Sequence, residues 1–328
     1  MRRATAAALL TLVGLVGWGQ PPLHADYDPL KLEAYSPTHH DLTVQDQARN
    51  RDIPIRVYLP KSKEPAPVIL YSHGLGGSRT NNAFLAKHWT ARGYVAVFLQ
   101  HPGSDESVWK EAKLGDRLAA MRQAASGENL ILRLKDVPAV LDQLEVWNRQ
   151  PDHPLAGRLD LKRIGMSGHS FGAQTTQGVS GQTFPLGKSF TDPRIKAALA
   201  FSPSPPKVGD VKKAFGQVKI PWMLMTGTKD DAMSIVDTPP ADRLKVFPAL
   251  PPGSKYELVL DEADHLAFGE TRINLSKQPR NPNHHRVILA LSTAFWDAYL
   301  RDDRAARDWL DGDGPRRILE PKDSWKKK

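Results

Sequence analysis

The sequence predicts an α/β fold, with a mostly parallel central sheet and helices on both faces. Three observations predict it. Short, largely apolar runs recur along the chain: the continuous Val68-Ile69-Leu70-Tyr71, then Tyr94 to Leu99, Ile195 to Phe201 and Ile220 to Thr226. Strands covered on both faces read this way, whereas strands with one wet face alternate. Helical stretches separate the runs, and strand–helix–strand order from residue 68 to residue 300 makes neighbouring strands parallel. The third observation is Arg163-Ile164-Gly165-Met166-Ser167-Gly168-His169-Ser170-Phe171-Gly172-Ala173-Gln174, a short buried strand, a very tight turn and a helix start.

In chain order, Asp26 to His40 is a polar lead-in, and the adjacent His39 and His40, without a paired carboxylate, read as solvated. Leu42 to Gln45 and Ile53 to Leu59 form an antiparallel start. Ile53, Ile55, Val57 and Leu59 recur at every second position, the period of a half-buried strand. The run at 68–71 feeds into Ser72-His73-Gly74-Leu75-Gly76-Gly77-Ser78. Asn81 to Arg92 is a helix, and the run at 94–99 ends in Gln100-His101-Pro102. Crevice loops of open α/β sheets lie at such strand ends, so His101 is either a pocket residue or a structural one. Glu106 to Ser126 is charged and helical, a candidate cap over the site. Leu130 to Trp147 packs through Leu130, Leu134, Val137, Leu141 and Leu144, which fall at helical spacing. Gly181 to Pro193 is a loop. Ser202 to Pro206 is a stiff stretch after the run at 195–201, read as pocket wall. Residues 241–250 form a helix, and Tyr256 to Leu260 the last core strand. His285 to Leu300 is a terminal amphipathic helix, with a short one over Asp302 to Leu310.

The 328 residues suffice for one large domain, placed at 26–310, with 311–328 as a poorly ordered polar tail. Residues 1–25 read as a signal peptide: Arg2 and Arg3, an apolar run from Ala6 to Trp18, and a cleavage site near Ala25. The run is too short for a confident membrane span. The expected location is therefore secreted or periplasmic, with no stable membrane insertion after cleavage. Cleavage removes two arginines and no acids, so the net charge of +9 becomes +7. That excess is dispersed, apart from Lys326 to Lys328, and no nucleic-acid motif accompanies it, so no nucleic-acid partner is expected. The chain has no cysteine, which excludes disulfides, a cysteine nucleophile and thiolate metal sites.

Ser170 sits at the centre of Gly168-His169-Ser170-Phe171-Gly172, a G-x-S-x-G pattern. This pattern lifts the serine hydroxyl out of the sheet edge on a strained strand-to-helix turn. The chemistry then needs a base and a carboxylate. A serine hydroxyl is a weak nucleophile until a neighbouring base takes its proton, and imidazole titrates near neutral pH. His265 follows the strand ending at Leu260, in Asp261-Glu262-Ala263-Asp264-His265. Gly227-Thr228-Lys229-Asp230-Asp231 follows the run at 220–226. The G-x-x-D register favours Asp230 as the carboxylate, with Asp231 the alternative. The N–H groups of Leu75 and Phe171 are the candidate oxyanion donors. His169, Asp264 and Glu262 read as structural or surface groups, and His284 and His285 as exposed polar residues opening a helix.

The stretch Tyr71 to Thr80 (YSHGLGGSRT), together with Gly168 to Ala173 (GHSFGA), resembles the platelet-activating-factor acetylhydrolase family and its bacterial dienelactone-hydrolase-like relatives within the α/β-hydrolase superfamily. In order of motifs the resemblance covers roughly residues 50–300. It implies an α/β-hydrolase fold and a serine hydrolase acting on carboxylic esters without a metal or cofactor. It places the oxyanion donors at the residue after His-Gly and the residue after the nucleophile, here Leu75 and Phe171. Some members take the acid from the end of the preceding strand. The matching Ala198-Leu199-Ala200-Phe201-Ser202 has no carboxylate, which passes the role to Asp230. The dienelactone relatives use cysteine, which this chain lacks.

The leading expectation is a serine esterase for short-acyl or other small esters. One alternative is a peptidase of the prolyl-oligopeptidase type, although no room exists for its propeller before residue 42. The other is a hydrolase fold kept as a binding module, which retention of both Ser170 and His265 disfavours.

Overall fold

A computed structural model describes residues 27–231, 238–269 and 281–328. Residues 1–25, expected to be a signal peptide, lie outside the described residues. Among the described residues, nine strands form one sheet in the order β1-β2-β4-β3-β5-β6-β7-β8-β9. β1 (His39–Asp46) and β2 (Arg51–Tyr58) make an antiparallel hairpin, and β2 lies antiparallel to β4 (Val95–Leu99). β3 (Ala66–Ser72), β4, β5 (Leu159–His169), β6 (Ile195–Phe201), β7 (Trp222–Lys229) and β8 (Lys255–Asp264) run parallel. The helices are α1 (Ala83–Ala91), α2 (Ser107–Lys110), α3 (Arg117–Ala124), α4 (Gly127–Arg149), α5 (Phe171–Val179), α6 (Val211–Phe215), α7 (Pro240–Arg243), α8 (Val246–Ala249), α9 (Pro282–Leu300) and α10 (Arg304–Asp311).

The continuous apolar runs divide between two layers by the alternation of strand side chains. In β3, Ile69 and Tyr71 face one side while Val68 and Leu70 face the other. In β4, Ala96 and Phe98 join the first side, and Val95, Val97 and Leu99 the second. α1, α9 and α10 cover the first face, with Trp89 edge-on to Trp296 at 5.9 Å. α4 covers the second face, with Leu134, Val137, Val140, Leu141 and Leu144 buried against the strands. α5, α6 and α8 extend that layer over β6 and β7. Both faces are therefore dry, as runs without polar alternation require. Among the described residues no helix is long and apolar enough to cross a membrane.

Four sequence expectations need correction. The stretch 311–328, expected to be a poorly ordered tail, contributes β9 (Ser324–Lys327), which pairs antiparallel with β8. Trp325 anchors it by stacking on Tyr256 at 5.4 Å, and Lys326 pairs with buried Glu257 at 2.9 Å. Lys326 and Lys327 therefore lie on an edge strand, where charge discourages pairing with another chain. β8 is accordingly not the last strand, and it runs on to Asp264 rather than stopping at Leu260. The single helix expected at 241–250 is two short ones, α7 and α8, with Pro248 in the second. The charged stretch 106–126 divides into α2, a 3-10 turn and α3. It lies on the loop after β3, with Trp109 Nε1 donating to the Gly76 carbonyl at 2.8 Å.

Desolvation lowers four histidines, His73, His88, His101 and His169, and holds them neutral. Burial pushes His88 and His101 down to about 4 and His169 to about 3, and lowers His73 well below its usual value. Unfolding frees each to bind a proton once the pH is below about 6.5. Between there and their folded values the unfolded chain binds more protons, so stability falls as pH falls. Each should contribute about 1 kcal/mol per pH unit to that slope. Urea unfolding at pH 7.5, 6.5 and 5.5 measures it, and a midpoint constant across this range would contradict neutral burial. Trp325→Ala should lower stability by about 1–3 kcal/mol through loss of the edge anchor. A thermal midpoint equal to that of the parent would leave β9 without a stabilising role.

Candidate active site

Ser170 caps α5 at φ 58°, ψ −114°, a left-handed conformation that a non-glycine residue adopts only under constraint. The constraint is the close packing of its neighbours. A Cβ on Gly172 would collide with the Ser72 carbonyl oxygen, and one on Gly168 with the backbone of Gly172. The ends of β3 and β5 and the first turn of α5 thus meet backbone to backbone, and the serine is thrust outward between them.

Ser170 Oγ–H donates to His265 Nε2 at 2.9 Å, and His265 Nδ1–H donates to Asp230 Oδ1 at 2.6 Å. His265 opens a 3-10 turn directly after β8, and Asp230 follows β7 directly. The carboxylate is fully buried, while the His265 side chain keeps 12% of its exposure. Burial alone would raise the Asp230 carboxyl. The His265 hydrogen bond, the Arg243 guanidinium and the Thr226 hydroxyl outweigh it and hold the group at about 2. Asp231 is exposed, so of the two adjacent acids the structure brings Asp230 to His265.

Leu75 lies in the loop after β3. The carbonyl of Gly74, in the same peptide unit as the Leu75 N–H, accepts from His73 Nδ1 at 2.6 Å and from the Gly77 N–H at 3.1 Å. A planar trans peptide points its N–H opposite to its carbonyl. Gly74 lies against Ser170, since a Cβ there would be 3.5 Å from that of the serine. The Phe171 N–H belongs to the first turn of α5, where helix N–H groups have no partner within the helix. Among the described residues no hydrogen bond is recorded from either N–H.

The remaining sequence candidates fall elsewhere. His101 is a structural residue and not a pocket one. It is fully buried, accepts from Ser72 Oγ at 2.9 Å and donates to Asp136 Oδ2 at 2.9 Å. His169 packs 4.6 Å from the His265 ring and donates through Nε2 to the His265 carbonyl at 3.1 Å, which steadies the turn bearing that ring. Asp264 caps that turn by accepting from the Leu266 and Ala267 N–H groups, each at 3.0 Å. Glu262 pairs with Lys229 at the surface. His39 and His40 open β1. His284, expected to be exposed, is buried and donates to the Asp261 carbonyl at 3.0 Å, while His285 stacks on Phe84 at 4.2 Å. Among the described residues no group of His, Asp and Glu has the arrangement of a metal site.

Sequence reasoning passed over two buried arginines. Arg243 donates through Nε to the Asp230 carbonyl at 2.8 Å and pairs with Asp230 Oδ1 at 3.1 Å. Its Nη1 reaches the Ser202 carbonyl at 2.9 Å, so one side chain ties the acid to the stiff stretch after β6. Arg133 lies under the loop after β3. Its signal was legible, because it interrupts the buried stripe of α4 between Leu130 and Val137, where a charge needs a reason. Arg243 gave no such signal, since it follows a stretch without periodicity.

Residues 50–152 match the family model for platelet-activating factor acetylhydrolase, isoform II. The match takes in β2 through α4, and with them the loop after β3, His101 and Arg133, while Ser170, Asp230 and His265 lie beyond it. No curated protein matches the chain. Members of that family are carboxylic ester hydrolases that use serine. Over that stretch the chain is similar to the platelet-activating factor acetylhydrolases, carboxylic ester hydrolases of the α/β-hydrolase superfamily, and its mixed, mostly parallel sheet with helices on both faces agrees with that fold.

Proposed function

We propose that the chain is an exported serine esterase for short-acyl or other small esters, acting through Ser170, His265 and Asp230 by an acyl-enzyme. The observation that carries this reading is the continuous line of hydrogen bonds from Ser170 Oγ through His265 to Asp230, at 2.9 and 2.6 Å. His265 Nε2 takes the hydroxyl proton as Oγ attacks the ester carbonyl carbon. Negative charge gathers on the former carbonyl oxygen, where the Leu75 and Phe171 N–H groups stabilise it. The tetrahedral adduct collapses as His265 returns the proton to the leaving alcohol, which departs and leaves the acyl group on Oγ. Water then attacks with His265 again as base, and the acid is released. Asp230 stays ionised throughout, holding the ring in the tautomer that presents a free Nε2 and stabilising the imidazolium. No metal or cofactor enters any step.

Ser170→Ala should lower turnover of a p-nitrophenyl ester by about a million-fold. Asp230→Asn should cost about ten thousand-fold, and Asp231→Asn should stay within a few-fold of the parent. His265→Ala should be as inactive as the serine variant. Steady-state kinetics on folded variants, with fluorophosphonate labelling mapped by mass spectrometry, measure this. An active Ser170→Ala enzyme, or label on another residue, would sink the assignment, and the reverse ranking of the two aspartates would move the acid to Asp231. A series of p-nitrophenyl esters should lose kcat/KM as the acyl chain lengthens, and a rise with length would overturn the small-acyl assignment.

Export rests on the charged start and apolar run within residues 1–25. Mature protein recovered outside the cytoplasm should begin at Asp26 on N-terminal sequencing. Recovery of the full-length chain in the membrane fraction would instead make the segment an anchor.

A further inference from the structure

We propose that Arg133 is the positioning residue for the oxyanion donors, its guanidinium holding the Gly74–Leu75 peptide and the Phe171 turn in one fixed relation. The proposal rests on the reading of Leu75 and Phe171 as those donors. Arg133 is fully buried on α4. Burying a guanidinium is costly unless its donors are met, and a carboxylate is the usual partner. Yet among the described residues no hydrogen bond of Arg133 goes to a carboxylate. Nη1 donates to the His73 carbonyl at 2.7 Å, Nη2 to the Gly74 carbonyl at 3.5 Å and the Ser104 carbonyl at 3.2 Å, and Nε to Ser104 Oγ at 2.8 Å. The donors are thus spent on the backbone just before Leu75 and on the loop after β4 that abuts it. That second loop returns the support, because the Ser104 carbonyl also accepts from the Gly76 N–H at 2.9 Å.

The face of the same guanidinium lies over the Phe171 ring, 4.5 Å from its centroid. One rigid planar group therefore touches the Gly74 carbonyl, in the same peptide as the Leu75 N–H, and the ring of Phe171, the two places whose N–H groups must converge on a single oxygen. A lysine could supply the charge, but it has neither the fork nor the flat face. Each donor to the Gly74 carbonyl also polarises that peptide and strengthens its N–H as a donor. Asp136 holds the base of the assembly by pairing with Arg49 at 2.9 Å, Arg51 at 2.8 Å and His101 at 2.9 Å.

The role predicts a loss confined to the charged transition state. The experiment compares the mature parent enzyme with Arg133→Lys, Arg133→Met and Ser104→Ala. It reads kcat and KM on p-nitrophenyl acetate, and Ki for a trifluoromethyl ketone, which adds to the serine and leaves an oxyanion. In Arg133→Met kcat should fall about 100-fold with KM within about threefold, as when one donor is lost. Arg133→Lys should lose less and Ser104→Ala least. Across the series, ketone affinity should fall in proportion to kcat/KM. A merely structural arginine would lower the thermal midpoint or the folded fraction without moving ketone affinity per folded molecule. If Arg133→Met fails to fold, the other two variants carry the test. A folded Arg133→Lys or Ser104→Ala enzyme within twofold of the parent in kcat/KM and Ki would overturn the proposal, as would lost activity with unchanged ketone affinity. Failure of the underlying reading shows separately, as a parent enzyme that neither labels at Ser170 nor binds the ketone, and it removes the proposal too.

Discussion

The structure depends on a contact from which side chains are excluded. The end of β3 lies so close to the start of α5 that the Ser72 carbonyl occupies the space a Cβ on Gly172 would need, and Gly168 meets the Gly172 backbone in the same way. Two strands and a helix can approach this closely only where glycine leaves the space free. The approach has two consequences at once. It forces the strained conformation on Ser170, and it brings the loop after β3 beside the first turn of α5. Gly74 and Ser170, nearly a hundred residues apart in the chain, come into van der Waals reach through that single packing event.

Around this contact the molecule places one buried arginine on each side. Arg243 serves the acid side, with its donors on Asp230 and on the Ser202 carbonyl. Arg133 serves the loop side, with its donors on carbonyls of that loop. Neither side chain is more than 2% exposed, so each carries a desolvation cost that a surface residue would not. A hydrophobic replacement could fill either volume at lower cost, but it would leave the carbonyls beneath it without donors. What the arginines supply is direction: a planar group with several fixed donors sets the orientation of several backbone units together.

Much of this was legible in the residues, for identifiable reasons. Strands covered on both faces read as largely apolar runs, so β3, β4, β6 and β7 were visible to within three residues at each end. The elbow was visible because its geometry demands glycine at two fixed positions. Asp230 could be preferred to Asp231 from the register of the turn after β7, and the distance to His265 follows that register. The edge strand β9 was not visible. Its period-two pattern spans four residues, Ser324–Lys327, and three of the last five residues of the chain are lysines, so charge hid the alternation. What pairs it is Trp325 against Tyr256, a contact about seventy residues apart that no local pattern carries.

The histidines show most clearly where residue type stops being informative. Ser72, His101 and Asp136 stand in a line of hydrogen bonds at 2.9 Å each, close to the distances found among Ser170, His265 and Asp230. Pairwise geometry alone would make both lines candidate triads. Exposure separates them. Ser72, His101 and Asp136 are sealed on every side, whereas Ser170 and His265 keep a face open. The electrostatics differ as well. Burial holds His101 down at about 4 with Arg133 and Arg51 adding to the effect, so near neutral pH its ring is a fixed dipole and not a proton carrier. The sealed line joins the ends of β3 and β4 to α4, beneath the loop that bears Leu75. The same three side-chain types therefore stand in two settings in one chain: an accessible line, to which the proposed proton transfer belongs, and a sealed line that fixes backbone. The deciding variable is access at the carboxyl edge of the sheet, set by the close contact between β3 and α5.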